Sequence, residues 1–557
     1  MQLTCGCQVP SVRGNNAHLQ KRQILYDSFT SLTGLRANVL ENCLVDLQVS
    51  SVMATCCARP FEPHFLGSQI LRRGQIIMKL SRTLGLELAV LLAFASVSFS
   101  QTWTALKNQP IFSANDALLL TDGRVIVQAT NSSDWWTLTP DDTGSYVKGT
   151  WTQVASLQSG YSPLYHAAAI LPDGRLVIEG GEFNGNNVQV LTNQGAIYDP
   201  VKNEWTPLTP PAGWTQIGDA QSVILRNGTF MLADPVDTDV AFLNAKTLQY
   251  TVLAGHGKAD RNDEEGWTLL PDGEVLTVDA LDAPNSELFN PRTRTWSSAG
   301  STIVSLEDPN SQEIGPMVLQ PDGIVFATGA GIHVGHTSNY NTATGEWAAG
   351  PDIPDGLDIA DGPASLLPNG HVLIMASPGI DNIGVQFFEW TGTEFIDAPN
   401  IAGASEMSSF VGNMLVLPTG QVLLTTQGQT FPEVLVYTAK GTFKPEWAPT
   451  ITSVPTTLTR GTLYVVKGTQ FNGLSQGAAY GDDTQSATNY ALVRITNNAT
   501  KHVFYARTVN PSTMAVATGT LPVSTHFTVS ARTETGASTL VVVTNGIPSK
   551  AVAVTVQ

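Results

Sequence analysis

A single stretch decides the fold: Ile170-Leu171-Pro172-Asp173-Gly174-Arg175-Leu176-Val177-Ile178-Glu179-Gly180-Gly181. It consists of two apolar runs joined by Pro-Asp-Gly. Proline presets φ at the first turn position, aspartate tolerates the next, and glycine takes the left-handed conformation. Apolar residues on both sides predict that both strands are buried. The stretch is therefore interpreted as a β-hairpin within the core.

The same hairpin recurs along the chain. Its seven turn glycines are spaced 51, 54, 45, 50, 47 and 50 residues apart, at Gly123, Gly174, Gly228, Gly273, Gly323, Gly370 and Gly420. A period near 50 residues, with four strands in each unit, is typical of a kelch-type β-propeller. The sequence therefore predicts an all-β protein with seven blades. A β-sandwich with coincidental spacing is the alternative.

Each unit also has an outer half in which an aromatic residue, a turn and a second aromatic follow one another. Tyr198 precedes Trp205 in this way, and Phe289 precedes Trp296. Such pairs suit the two outer strands of a blade. A lone copy of the outer strand surrounds Trp103, before the first hairpin. This copy predicts that the N-terminal strand joins the last blade and closes the ring, which would remove an exposed sheet edge.

The first 100 residues differ from the rest of the chain. Residues 1–77 contain all five cysteines and no repeat, and they are interpreted as a non-native N-terminal extension. The alternative is a disordered leader. Met78 opens a predicted signal peptide, 78–100, with basic residues, a short apolar core and small residues before Gln101. That core is too short to predict a membrane span. The predicted location is therefore secreted, either extracellular or periplasmic.

The predicted mature part, 101–557, contains no cysteine, so neither disulfides nor thiolate–metal bonds stabilise it. It has 20 basic and 42 acidic residues, a formal net charge of −22. Such an acidic exported protein is a poor partner for nucleic acid or anionic lipid. We expect a monomer that binds no nucleic acid and keeps no membrane span after signal cleavage.

The repeat pattern ends after Trp447, where a proline-punctuated linker leads into short alternating strands. About 110 residues of this kind are typical of an immunoglobulin-like (E-set) sandwich. The predicted domains are thus a propeller at 101–447 and an immunoglobulin-like domain at 448–557.

The second unit, Tyr165-His166-Ala167-Ala168-Ala169 followed by the quoted hairpin, resembles a full kelch repeat. A seven-bladed kelch propeller followed by an immunoglobulin-like domain is similar to the galactose oxidase and glyoxal oxidase superfamily. The resemblance implies a copper site of two tyrosines and two histidines, one tyrosine being joined to a cysteine. It places Tyr165 and His166 as candidates for one tyrosine–histidine pair. The alternative for His166 is an ordinary structural position of the repeat.

Two departures argue against copper chemistry. No cysteine follows Cys57, and Arg507 stands where the resemblance implies a copper-binding histidine. An arginine is always protonated and has no lone pair to donate to a metal. The sequence therefore predicts no bound copper and no radical-copper catalysis.

A second candidate site comes from the position nine residues before each turn glycine. This position holds Tyr165, Asp219, Glu264 and Asp361 in four of the units. We expect these residues near the central channel, where carboxylates could bind Ca²⁺ or where one could act as a general acid. The alternative is a hydrated polar funnel with no bound ligand.

Three functions remain open at this point. The preferred one is a secreted binding protein for a glycan or another extracellular protein, without catalytic residues. The alternatives are a copper oxidoreductase like galactose or glyoxal oxidase, and a sugar-active enzyme that uses the channel carboxylates.

Overall fold

The hairpin repeats build seven four-stranded antiparallel sheets. The structure, a computed structural model, describes residues 101–186, 188–331, 334–379, 382–476 and 486–557. The predicted N-terminal extension and signal peptide lie outside these residues. Within them, no helix is long and apolar enough to cross a membrane.

Short strands make up both halves of the propeller. The first half contains β1 (Thr102–Ala105), β2 (Ala114–Leu119), β3 (Val125–Ala129), β4 (Trp135–Thr139), β5 (Thr150–Gln153), β6 (Pro163–Leu164), β7 (Ala167–Ile170), β8 (Leu176–Glu179), β9 (Phe183–Asn184), β10 (Gly195–Asp199), β11 (Glu204–Leu208), β12 (Ser222–Ile224), β13 (Phe230–Ala233), β14 (Val240–Asn244) and β15 (Gln249–Leu253). The second half contains β16 (Thr268–Leu269), β17 (Val275–Val278), β18 (Asn285–Asn290), β19 (Thr295–Ser301), β20 (Met317–Leu319), β21 (Ile324–Thr328), β22 (Thr337–Asn341), β23 (Glu346–Ala349), β24 (Ala364–Leu366), β25 (Val372–Ala376), β26 (Gln386–Trp390), β27 (Phe395–Ala398), β28 (Asn413–Val416), β29 (Val422–Thr425) and β30 (Leu435–Thr438). Single-turn 3-10 helices are Pro354–Gly356, Ala404–Glu406, Ser409–Val411 and, beyond β30, Pro445–Trp447.

The strand pairing confirms the seven blades. Blades 1 to 6 are β2–β5, β7/β8/β10/β11, β12–β15, β16–β19, β20–β23 and β24–β27, while β6 and β9 form a separate pair. Blade 7 combines β28, β29 and β30 with the N-terminal β1, in which Trp103 lies opposite Tyr437. The N-terminal strand therefore completes the last blade and closes the ring, as predicted.

The predicted outer aromatic pairs lie opposite each other in their blades. Tyr198 faces Trp205 and Phe289 faces Trp296, with ring centroids 5.1 and 5.2 Å apart. Trp205 also donates its indole N–H to the carbonyl of Ala155, at 2.8 Å, in the segment that enters blade 2. These pairs pack the outer strands of each blade and link neighbouring blades.

The chain after the ring forms a nine-stranded sheet. Its strands are β31 (Thr450–Ser453), β32 (Thr457–Leu458), β33 (Leu463–Thr469), β34 (Leu492–Asn497), β35 (Val503–Val509), β36 (Val523–Thr528), β37 (Gly536–Thr544), β38 (Ile547–Pro548) and β39 (Val552–Val556). The order is β31-β33-β36-β35-β34-β37-β39-β32, with β38 against β37. One half of β35 pairs with β34 and the other half with β36. Buried residues of both halves, such as Phe527 and Val542, share one core.

This C-terminal sheet contacts one face of the ring. Because the strands of a blade are antiparallel, the hairpin turns lie at one end, the turn face. The loops between second and third strands, and the segments that join blades, lie at the other end, the loop face. Arg507 donates to the carbonyl of Asp173 at 2.6 Å, and the Met514 amide donates to the carbonyl of Arg226 at 2.9 Å. Both acceptors lie in hairpin turns, so the C-terminal sheet packs on the turn face.

We expect Gly123→Ala to weaken this packing. Gly123 has φ +80, and a Cβ atom there would lie 2.4 Å from Cγ of Tyr505 in the C-terminal sheet. Gly213 has φ +91 but no atom within 4 Å of such a Cβ, so Gly213→Ala introduces backbone strain alone. Urea denaturation should give Gly123→Ala an additional loss of about 1–3 kcal/mol in the free energy of unfolding. Equal losses of unfolding free energy in the two variants would contradict close packing between Gly123 and Tyr505.

Candidate functional site

Three carboxylates from three successive blades meet on the loop face. Glu264, Glu313 and Asp361 precede the inner strands of blades 4, 5 and 6, and their oxygen atoms lie within 4.8 Å of one another. Glu313 is buried, whereas the other two are partly exposed. We call this group the axial carboxylate cluster. The repeat register predicted Glu264 and Asp361, and Glu313 lies one residue from the same register.

The register position has an unusual backbone conformation in three blades. Tyr165, Glu264 and Asp361 have φ angles of 52, 59 and 51°, in the left-handed region that non-glycine residues seldom adopt. Each lies two to four residues before its inner strand. The Asp361 amide donates to the carbonyl of Ile314 at 3.1 Å, which joins the segments of blades 5 and 6. Neighbouring contacts therefore maintain these bends against their conformational cost.

The axial cluster has the chemistry of a cation site. Ca²⁺ takes six to eight oxygen ligands, and carboxylates are among those it prefers. Three carboxylates at this spacing could supply part of such a shell, or they could accept charge-assisted hydrogen bonds from an ammonium group. The arrangement is suited to binding positive charge.

A second acidic group lies beside the first, and here the protein supplies its own cation. The Lys258 ammonium lies 2.5 Å from Asp260, 2.9 Å from Glu265 and 2.7 Å from Glu287. Asp279 lies 3.8 Å away. All five side chains are at most 9% exposed. We call this group the Lys258 cluster.

The Lys258 cluster contains more carboxylates than one ammonium can neutralise. Burial alone would lower the pKa of Lys258, but the surrounding carboxylates raise it, Glu265 most strongly. Burial raises the pKa of Glu265 well above its usual range and that of Asp279 to about 8. At neutral pH the lysine is therefore charged, and burial favours the protonated form of Asp279.

The two clusters are linked through the segment 258–265, which carries Glu264. On one side of that residue, Glu265 accepts from Lys258. On the other side, the Asn262 amide group donates to the carbonyls of Asp237 and Asp239 in blade 3, at 3.1 and 3.0 Å. The segment is thus fixed to two blades, which positions Glu264 at the loop face.

The other predicted site residues are not members of the axial cluster. His166 is fully buried, with Nε2 3.3 Å from a carboxylate oxygen of Asp116, and burial lowers the pKa of the imidazole to about 3. The Tyr165 ring packs edge-on against Phe183, with centroids 6.2 Å apart. Asp219 is partly exposed. The structure therefore brings together only Glu264 and Asp361 from the predicted set.

Sequence reasoning missed the Lys258 cluster. A weak signal was present in the stretch 258–265, where Lys258 is followed by four acidic residues. The other two carboxylates, Asp279 and Glu287, come from a different loop and strand of blade 4. Only the folded blade brings these groups together, so their spacing in the chain gives no metal or ion-pair motif.

Two positions that the resemblance assigns to a copper site have other contacts in the structure. His166 lies in the core, and Arg507 binds a hairpin turn on the turn face. Among the described residues, both groups of three or more His, Cys, Asp or Glu ligand atoms contain carboxylates alone. These residues do not fit a copper ion held by two tyrosines and two histidines.

Comparison with known proteins agrees with the repeat pattern. No family model matches the sequence. The Kelch-like protein terF of Aspergillus terreus is 28% identical over 232 residues, which cover 37% of this chain. The propeller resembles the kelch type in its repeat and in this match. The match covers 48% of the relative, so this chain spans about half the length of this curated protein.

Solved structures with a similar arrangement were also found. A copper complex of a fungal alcohol oxidase of the AA5 family is 12% identical, with a TM-score of 0.46, and the match covers 82% of this chain and 98% of that one. A catalytically inactive virginiamycin B lyase of Staphylococcus aureus with quinupristin is 11% identical, with a TM-score of 0.42, and the match covers 61% and 99% of the two chains. Both similarities are low, and the seven-bladed propeller is established by its own strand pairing.

Proposed function

We propose that this kelch propeller is a secreted, non-catalytic protein that binds a carbohydrate or another extracellular protein on its loop face. One observation carries the proposal: large apolar side chains are exposed on that face. Among the described residues, seven of the ten exposed large apolar side chains lie in loop-face segments, namely Ile111, Val188, Val190, Val236, Ile303, Ile383 and Phe431.

The position of the C-terminal sheet supports this choice of face. The described contacts of Arg507 and Met514 place the sheet on the turn face, opposite the proposed binding surface. Loops held by a rigid ring are common binding surfaces, and exposed apolar groups on them favour contact with a partner. The same ring supports many chemistries, so the proposal rests on this surface rather than on the fold.

The proposal includes the predicted organisation of the chain. The segment 78–100 directs export, the propeller occupies 101–447, and 448–557 is an immunoglobulin-like (E-set) domain. In this arrangement the C-terminal domain braces the turn face, and the protein acts as a monomer without copper.

A second candidate is an acid- or Ca²⁺-dependent enzyme acting on sugars. The axial carboxylate cluster favours it, because three carboxylates within 4.8 Å could hold a cation or include a general acid. A copper oxidase has no such support, since two positions that the resemblance assigns to its copper site have other contacts.

The test is binding of the full chain to a glycan array and to a phage-displayed peptide library. We expect ligands whose binding is lost in the double variant Ile111→Ser/Phe431→Ser. The control variant Val201→Ser/Leu521→Ser also removes exposed apolar groups, but from a hairpin turn and from the C-terminal sheet. It should bind as the unmodified protein does.

Ligands that the control variant loses and the loop-face variant keeps would overturn the proposal. Hydrogen peroxide formed from a panel of alcohols, aldehydes and sugars would do the same. Sugar cleavage that stops with EDTA and returns with Ca²⁺ would favour the second candidate.

A further inference from the structure

Of the two faces of the propeller, only the loop face carries an excess of negative charge among the described residues. Described residues of its segments include 21 acidic and 3 basic residues, in 106–113, 130–134, 154–166, 180–194, 209–221, 234–239, 254–267, 279–284, 302–316, 329–336, 350–363, 377–385, 399–412 and 426–434. The turn-face segments contain 8 acidic and 8 basic residues, in 120–124, 140–149, 171–175, 200–203, 225–229, 245–248, 270–274, 291–294, 320–323, 342–345, 367–371, 391–394 and 417–421. The loop-face segments therefore have a formal net charge of −18, whereas the charges of the turn-face segments balance.

The charge of the loop face is accessible to solvent. Thirteen of its 21 acidic side chains are at least partly exposed. Of its three basic side chains, Lys258 is buried among its carboxylates, which leaves Lys107 and Arg261. A surface with this balance attracts cations and steers a basic partner toward it.

An exposed apolar pair lies on the same face, where the ring closes. Gln109 donates to the carbonyl of Val434 at 2.9 Å, and the Gln427 amide donates to the carbonyl of Ala114 at 2.9 Å. Hydrogen bonds therefore join the segments 109–114 and 427–434 at the seam between blades 7 and 1.

These two segments carry Ile111 and Phe431. They are the most exposed large apolar side chains among the described residues, at 88% and 84%. The hydrogen bonds of Gln109 fix the backbone beneath them, so little ordering would be needed when a partner covers the pair.

We infer that the loop face docks a basic protein whose lysine and arginine side chains surround an apolar patch. The inference rests on the proposed binding function and names the partner class. Charge complementarity selects a cationic partner, and the apolar pair supplies a contact that can be buried at the centre of an interface.

The chemistry of the apolar contacts favours a protein over a cationic polysaccharide. Six of the seven exposed apolar side chains of the face are valine or isoleucine, and only Phe431 has a flat ring. Aliphatic side chains pack against the apolar side chains of another protein, but they offer no flat surface for a sugar ring to stack on.

The test compares two sets of substitutions that remove negative charge from the full chain. One set neutralises exposed loop-face carboxylates: Asp237→Asn, Asp282→Asn, Asp355→Asn and Glu406→Gln. The matched set removes the same charge from exposed turn-face carboxylates: Asp142→Asn, Asp272→Asn, Asp322→Asn and Glu394→Gln. Biolayer interferometry measures binding to cytochrome c as the basic protein, to acetylated cytochrome c, and to a chitosan oligomer.

At low salt we expect the loop-face set to weaken cytochrome c binding by about fivefold or more, and the turn-face set by less than about twofold. Acetylated cytochrome c should bind far more weakly. Equal losses in the two sets would overturn the inference, because only the overall charge would then matter. So would chitosan binding that depends on the loop-face set, in the absence of cytochrome c binding.

The peptide selection separates this inference from the proposed function. If the selected peptides require Ile111 and Phe431 and are rich in lysine and arginine, the binding function and the basic partner are both supported. If they require the two residues but show no excess of basic side chains, the binding function stands and the basic partner is wrong.

Discussion

Replacing Lys258 with methionine is expected to destabilise the propeller by about 3–5 kcal/mol, because it leaves buried carboxylates without their cation. In the folded protein the ammonium contacts Asp260, Glu265 and Glu287 within 2.9 Å. Methionine fills a similar volume but has no positive charge to neutralise these carboxylates. Blade 4 and the segment that carries Glu264 should be destabilised most.

Calorimetry of the purified variant provides the measurement. Lys246→Met is the matched control, since Lys246 is exposed in a hairpin turn and its loss should leave the melting temperature almost unchanged. Adding Glu265→Gln and Asp279→Asn to Lys258→Met removes two of the carboxylates left without a cation. This change should restore part of the stability. A Lys258→Met protein that melts like the unmodified one would show that the cluster adds nothing to stability.

The second large effect is a loss of stability as the pH rises from about 4 to 8. Burial raises the pKa of Glu179 and Asp279 to about 8, of Asp358 and Glu433 to about 7, and of Asp234 to about 6. Unfolded carboxyls titrate near pH 4, so between these values the folded state binds more protons than the unfolded state. Stability then falls with rising pH, and Glu179 alone accounts for a loss on the order of a few kcal/mol.

Below neutral pH, His166 has the opposite effect. Burial lowers its pKa to about 3, so protonation of the unfolded state weakens the fold as the pH falls from 6.5 toward 3. The free energy of unfolding should therefore be greatest in mildly acidic solution. Melting temperatures across pH 3 to 9 test this expectation.

The variant Glu179→Gln tests most directly whether the free energy of unfolding is greatest in mildly acidic solution. Glutamine can still accept the hydrogen bond that Tyr250 donates to Glu179 at 2.6 Å, but it does not ionise. The variant should lose less stability between pH 5 and 8 than the unmodified protein, whereas Asp322→Asn, at an exposed turn, should change nothing. Identical pH profiles for all three proteins would mean that Glu179 titrates normally.

The ring itself could be predicted because its information is local. Each Pro-Asp-Gly-type turn fixes one hairpin, and the spacing of its glycine, such as Gly174, fixes one blade. The copy of the outer strand around Trp103 predicted the closure that the pairing with Tyr437 confirms. These features depend on a few neighbouring residues, repeated seven times.

The candidate site could be predicted only in part. The register placed Glu264 and Asp361 near the axis, because equivalent positions of a repeat occupy equivalent places in the ring. It gave no reason to separate them from Asp219 or Tyr165, since the loops before the inner strands differ in length and path. His166 occupies an ordinary position of the repeat, which lies in the core, and its imidazole is neutral there.

What the sequence by itself determined was the closed ring and the overall acidity of the chain. Only the tertiary structure decided which carboxylates share the ammonium of Lys258 and which end of the ring carries the excess charge. The reason is physical: turn chemistry acts between adjacent residues, whereas electrostatic energies depend on burial and on distances between groups far apart in the chain.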